Sequence, residues 1–192
     1  MGGRQDWFRD PWVHYGGCGA VSLAELSIQL SLFHGMALFP GKGSSVDLGK
    51  KEYMDFVSET KRYLRPRPSG ITDLAYYCRQ GEKFFRDRGE TGIKLVPAYG
   101  REPAQEAFLK LKHQIAQNLI VPTLLLKHQS EAFRNYTWHW FLLAGARGEG
   151  DSAEAFAATY GAGRWISFTG LWDTGYLRKG GMILAEIGGG IV

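Results

Sequence analysis

Residues 18–36 place apolar side chains almost all round a helical wheel, with Val21, Leu23, Ala24, Leu26, Ile28, Leu30, Leu32 and Phe33 and few charges between them. A helix of this kind has no face to give to water, so it must lie inside the fold with other elements packed round it. Gly35 stops it, because glycine accepts the left-handed conformation in which helices commonly end. The rest of the chain has to wrap this segment.

The wrapping material changes character along the sequence. Residues 39–49 hold Pro40, Gly41, Gly43 and the Ser44-Ser45 pair and read as loop. A second helix begins near Asp47, carries Tyr53, Met54, Phe56, Val57 and Leu64 at helical spacing, and ends at Pro66 and Pro68. A third, capped by Ser69 or Thr72, runs through Leu74, Tyr77, Phe84 and Phe85 to Gly89. A short strand follows at 93–97, and Pro103 opens a fourth helix with Ala107, Phe108, Leu111 and Ile115 as its apolar stripe. From Leu119 onward the pattern is β, in segments 119–127, 137–146, 156–160, 164–168 and 181–187, with 148–152 as a hairpin loop.

Helices first and strands later predict an α+β fold with an antiparallel sheet rather than an alternating parallel one. At 192 residues, 44% of them hydrophobic, the chain is the size of one domain over 1–192 with ample material for a core. No internal repeat is visible, and the 188–190 glycine tail is expected to fray.

Several function classes fall away. The first ten residues carry charges where a signal peptide needs an apolar stretch, and Asp6 lacks the hydroxyl of a myristoylation signal. The longest apolar runs fall far short of the ~20 residues that span a bilayer, so a cytoplasmic protein without membrane contact is expected. Cys18 and Cys78 are the only cysteines, too few for a disulfide scaffold and compatible with free thiols in a reducing compartment. The net charge of +4 is spread along the chain. Its densest basic stretch, Lys61, Arg62, Arg65 and Arg67 around Tyr63, reads as a solvated helix end rather than a nucleic-acid surface. Oligomeric state leaves no mark.

Chemistry centres on Cys18. A thiolate is the reactive form of cysteine, and a helix N-terminus offers unpaired N–H groups and partial positive charge to stabilise it. Gly16, Gly17 and Gly19 leave space for a substrate backbone, and the N–H of Cys18 can face an oxyanion. The bland alternative is a buried structural cysteine, which is how Cys78 reads within its helical stripe. His139 is the second candidate, a lone imidazole in the apolar strand Tyr136-Thr137-Trp138-His139-Trp140-Phe141-Leu142-Leu143. Strand alternation sets it on one face with Thr137 and Phe141, where it is either a satisfied core histidine or the general base of a nucleophile pair.

The segment Gly17-Cys18-Gly19-Ala20-Val21-Ser22-Leu23-Ala24 resembles the Cys-Gly-Pro-Ala-Ser-Leu-Ala signature of papain-like cysteine peptidases related to the double-glycine leader peptidases of bacteriocin exporters. The helix at 108–118, the strand at 120–126 and His139-Trp140-Phe141-Leu142-Leu143-Ala144-Gly145 match the order in which that family reaches its catalytic histidine. The resemblance implies a papain-like fold, with the buried Cys18 helix packed on a C-terminal antiparallel sheet. It further implies a thiol-dependent hydrolase that uses Cys18 and His139 on a peptide or small amide, without cofactor or metal.

Two positions depart from the family pattern. The glutamine that completes the oxyanion hole is replaced by Trp12, with Gln5, Tyr15 and His14 as other possible donors. The carboxylate or amide that orients the histidine falls on Thr159 or Tyr160, which leaves Asp173 as the nearest acid and Thr159 as the fallback. A zinc site on Cys18 with His14 or His139 would need a further ligand, and His34, His113 and His128 show no ligand spacing. An inert module that holds a peptide or partner protein, and an acyltransferase on the same Cys-His pair, are the alternatives.

Overall fold

A computed structural model describes Trp7, residues 16–40 and residues 49–188. The candidate oxyanion donors Gln5, Trp12, His14 and Tyr15, the proposed cap Asp47 and the end of the glycine tail lie outside the described residues. The fold is mixed α+β, as the order of sequence patterns predicts. Three helices, α1 (Cys18–His34), α2 (Lys50–Thr60) and α3 (Leu74–Asp87), precede strand β1 (Ile93–Tyr99) and helix α4 (Ala104–Ala116). Strands β2 (Val121–Leu125), β3 (His139–Arg147), β4 (Glu154–Thr159) and β5 (Ala162–Ser167) follow, then a short helix α5 (Phe168–Trp172) and β6 (Gly180–Ile187).

The six strands form one sheet in the order β1-β6-β2-β3-β4-β5, and every neighbouring pair is antiparallel. Side-chain alternation sorts its two faces. Leu95, Leu124, Trp140 and Ile183 pack with α1, α2 and α3 into one core; Val121, Phe141, Leu143 and Met182 pack with α4 and α5 into the other. Helix α1 packs against two helices and the sheet, and Leu23, Ala24, Leu26 and Leu30 lose all exposure; it is not enclosed all round as its pattern predicts, since Val21, Glu25 and Gln29 form a half-buried stripe and Phe33 is exposed.

Boundaries shift where local chemistry competes with pattern. Helix α1 ends at Gly35, which takes φ +66° and returns its N–H to Leu30 O. Asp73, rather than Ser69 or Thr72, caps α3 by accepting the Tyr76 N–H at 3.1 Å. Strand β1 continues through Pro97 to Tyr99 because it is an edge strand paired only with β6, so a residue without an N–H costs nothing on its open side. The short helix α5 and a 3₁₀ turn at Glu131–Tyr136 interrupt the β half without a sequence pattern long enough to announce them.

The insertion of β6 between β1 and β2 depends on a glycine pair. Gly180 and Gly181 take φ +104° and +148°, and a Cβ on Gly181 would fall on the Ala98 carbonyl oxygen of β1. Backbone, unlike the end of a side chain, cannot move aside cheaply. Gly181→Ala is expected to destabilise the fold by at least ~2 kcal/mol, read as a lowered urea midpoint; an unchanged midpoint would refute this account of the sheet.

Candidate functional site

Helix α1 meets the sheet at the start of β3. Pairing between β3 and β4 begins only at Leu142 and Ala158, so His139 and Trp140 run past the end of β4 with one flank open. The first turn of α1 fills that flank. The backbone N–H groups of Trp140, the residue after His139, and of Gly19 and Cys18 itself act on the Cys18 sulfur and favour its charged form. The backbone next to His139 thus comes to Cys18, although 120 positions of chain lie between the two residues.

The Trp140 side chain fixes this junction. Its indole N–H donates to Ile71 O at 2.7 Å and its ring stacks on Tyr77 at 4.4 Å. The Tyr77 hydroxyl lies 3.0 Å from Ser22 Oγ, which in turn donates to Gly19 O. Glycine at position 19 is a packing requirement: a Cβ there would stand 3.1 Å from Ile71 Cδ1 and 3.6 Å from the Trp140 ring. Gly16 is likewise pressed against Arg67 O. The sequence suggested that these two glycines clear a path for substrate; they let α1 approach its neighbours instead.

His139 is held by the end of β4. Thr159 Oγ1 lies 2.6 Å from Nε2, and the Tyr160 ring stacks on the imidazole at 4.7 Å with 6° between the planes. Phe141 lies near-parallel at 6.5 Å, on the face that strand alternation predicts. Asp173 does not take the orienting role. Its carboxylate is 3.6 Å from Lys179 Nζ and largely exposed, and its backbone N–H closes α5 on Thr169 O. The side chain beside Nε2 at the end of β4 is a hydroxyl, that of Thr159, and not a carboxylate.

Burial sets the protonation states. Cys18 and His139 are 8% and 7% exposed. Desolvation raises the Cys18 thiol above its ordinary range, opposed by the N–H groups aimed at the sulfur. The helix terminus was expected to yield a thiolate; its amides do face the sulfur, but loss of water outweighs them. Desolvation also lowers the His139 imidazole to about 4, with a hydroxyl rather than a carboxylate at Nε2 to offset it. At neutral pH the pair rests as thiol and neutral imidazole.

Among the described residues no group of three or more His, Cys, Asp or Glu is placed to hold a metal ion, and no helix is long and apolar enough to cross a membrane. Two features escaped the sequence reading: the Trp140 amide at the sulfur and the Tyr160 ring on the imidazole. Gly161 between two strand patterns was the available signal, since a glycine between strands marks a turn. No protein family, curated protein or solved structure matches the chain.

The buried imidazole has a consequence for stability. A folded-state pKa of about 4 against 6.5 for the free group means the unfolded chain binds a proton that the folded chain refuses. The stabilisation is complete above about pH 6.5, declines as pH falls and is lost below about pH 4. The difference corresponds to roughly 3 kcal/mol. Urea midpoints at pH 7 and pH 4 should differ accordingly, and the difference should shrink in His139→Gln; equal differences in both proteins would contradict the assignment.

Proposed function

We propose that the protein is a papain-like thiol hydrolase acting on a peptide or small amide bond, with Cys18 as nucleophile and His139 as base. The observation that carries this reading is the sulfur at the first turn of α1, acted on by the backbone N–H of Trp140, the residue that follows His139. Three further features support it: the chain order of cysteine before histidine, the buried helix packed on an antiparallel sheet, and a hydrogen-bonding side chain at the end of the next strand facing the imidazole.

Because both groups rest neutral, proton transfer accompanies attack instead of preceding it. With Nε2–H donating to Thr159 Oγ1, the Nδ1 lone pair accepts the thiol proton as sulfur bonds to the carbonyl carbon. The backbone N–H of Cys18 at the first turn of α1 is the donor proposed for the resulting oxyanion. Collapse expels the amine, which takes the proton from Nδ1. Water then attacks the thioester with His139 again as base, releasing the acid and restoring the thiol. An amine in place of water would give acyl transfer, and partition between water and added amine distinguishes the two.

Hydrolysis of a panel of peptidyl anilides is the direct test. Cys18→Ser and His139→Ala should each lower kcat/KM by at least ~100-fold. Unchanged rates in both variants would leave an inert binding module, a reading favoured by the neutral, buried state of the pair. In the active protein kcat/KM should fall as pH drops through about 4, where His139 gains its proton.

Thr159→Asp probes the orienting position. A carboxylate beside Nε2 stabilises the imidazolium and should raise the His139 pKa by about 1–3 units, which moves the acid limb of the pH–rate profile toward neutrality. A limb that stays near pH 4 would show that position 159 does not govern the base.

A further inference from the structure

Thr159 and Tyr160 are consecutive, yet both side chains reach the same imidazole. Thr159 Oγ1 bonds to Nε2, and the Tyr160 ring covers the ring face. Consecutive side chains of an extended strand point to opposite faces, so regular β structure cannot produce this convergence. The backbone produces it: Tyr160 takes φ +51° and Gly161 φ +76°. Residues 160–161 thereby form the two-residue turn between β4 and β5, with Thr159 paired to Ala162.

A turn with positive φ at both central positions favours Asn, Asp or Gly at the first. A bulky aromatic there is strained. Burial of the ring does not account for its retention, since Tyr160 is 53% exposed. Among the described residues, Asn118, Trp138 and Tyr160 are the non-glycine residues with positive φ; Trp138 immediately precedes His139 and Tyr160 lies on it. Local strain is concentrated on one imidazole.

The contact is also selective. The Tyr160 hydroxyl stands 3.5 Å from Nδ1, at the outer limit for a hydrogen bond, and parallel stacking brings it from above the ring rather than along the in-plane lone pair. Nδ1 keeps its acceptor direction.

We propose that Tyr160 is a positioning residue for the base: its ring, swung onto His139 by the left-handed turn, holds the imidazole plane so that Nε2 stays on Thr159 and Nδ1 stays free. This rests on the thiol–imidazole reading above, in which Nδ1 receives the proton. The tyrosine does not itself exchange protons with the substrate.

Tyr160→Asn removes the ring but suits the turn, and Tyr160→Phe keeps the ring without the hydroxyl. The tautomer and titration of His139 are read by ¹⁵N and ¹H NMR in the intact protein, with no substrate present. Wild type and Tyr160→Phe should hold a single Nε2–H tautomer. Tyr160→Asn should keep its Tm within a few degrees, populate both tautomers and titrate at least about one pH unit higher as water reaches the ring. An unchanged tautomer and titration in Tyr160→Asn would overturn the proposal. So would loss of folding in both Tyr160→Asn and Tyr160→Gly, because the ring would then be a structural prop. Iodoacetamide alkylation of Cys18 with and without His139→Ala separates the two levels. If the NMR changes occur but alkylation ignores His139, Tyr160 stands as the holder of the ring and the hydrolase reading alone falls.

Discussion

The arrangement of this molecule depends on how Trp140 is held. Its backbone N–H acts on the sulfur of Cys18, its indole N–H donates to Ile71 O, and its ring lies on Tyr77. One residue therefore joins the first turn of α1, the loop before α3 and the start of β3. A buried indole has to place its N–H on an acceptor, and the Ile71 carbonyl leaves little freedom in where the ring sits. Cys18 and the strand that bears His139 are consequently held in register by core packing, not by a flexible loop.

That packing also decides the chemistry. A cysteine at a helix terminus has amides to stabilise a thiolate, yet the same enclosure that aims those amides at the sulfur removes the water that would stabilise the charge better. The imidazole is subject to the same competition and stays neutral to about pH 4. A hydroxyl at Thr159 can fix a tautomer but contributes no negative charge to an imidazolium, so the pair stores no ion pair at rest. In the proposed reaction, attack on a carbonyl is therefore coupled to movement of the proton.

Much of the architecture was legible because helical and strand periodicities are long-range patterns that survive local exceptions. The largely buried helix, its stop at Gly35, the antiparallel β half and the face shared by His139 and Phe141 all follow from such patterns. Misplaced boundaries arose where a single group won locally, as Asp73 did over Ser69 and Thr72 at the cap of α3. Asp173 was attractive as an acid near the right strand in sequence. Its engagement with Lys179 belongs to the α5–β6 connection, which no periodicity describes.

What the amino-acid order determined by itself is the inventory: one largely apolar helix that must be packed inside the fold, a thiol at its start, and an imidazole alone in an apolar strand. Tertiary structure alone decided that the Trp140 amide reaches the sulfur and that two consecutive side chains of the β4–β5 turn converge on one ring. It also decided that burial outweighs the helix terminus in setting protonation. The reason is physical: hydrophobic patterning is written in the spacing of residues along the chain. Desolvation and a single left-handed dihedral depend on what the rest of the fold puts beside them.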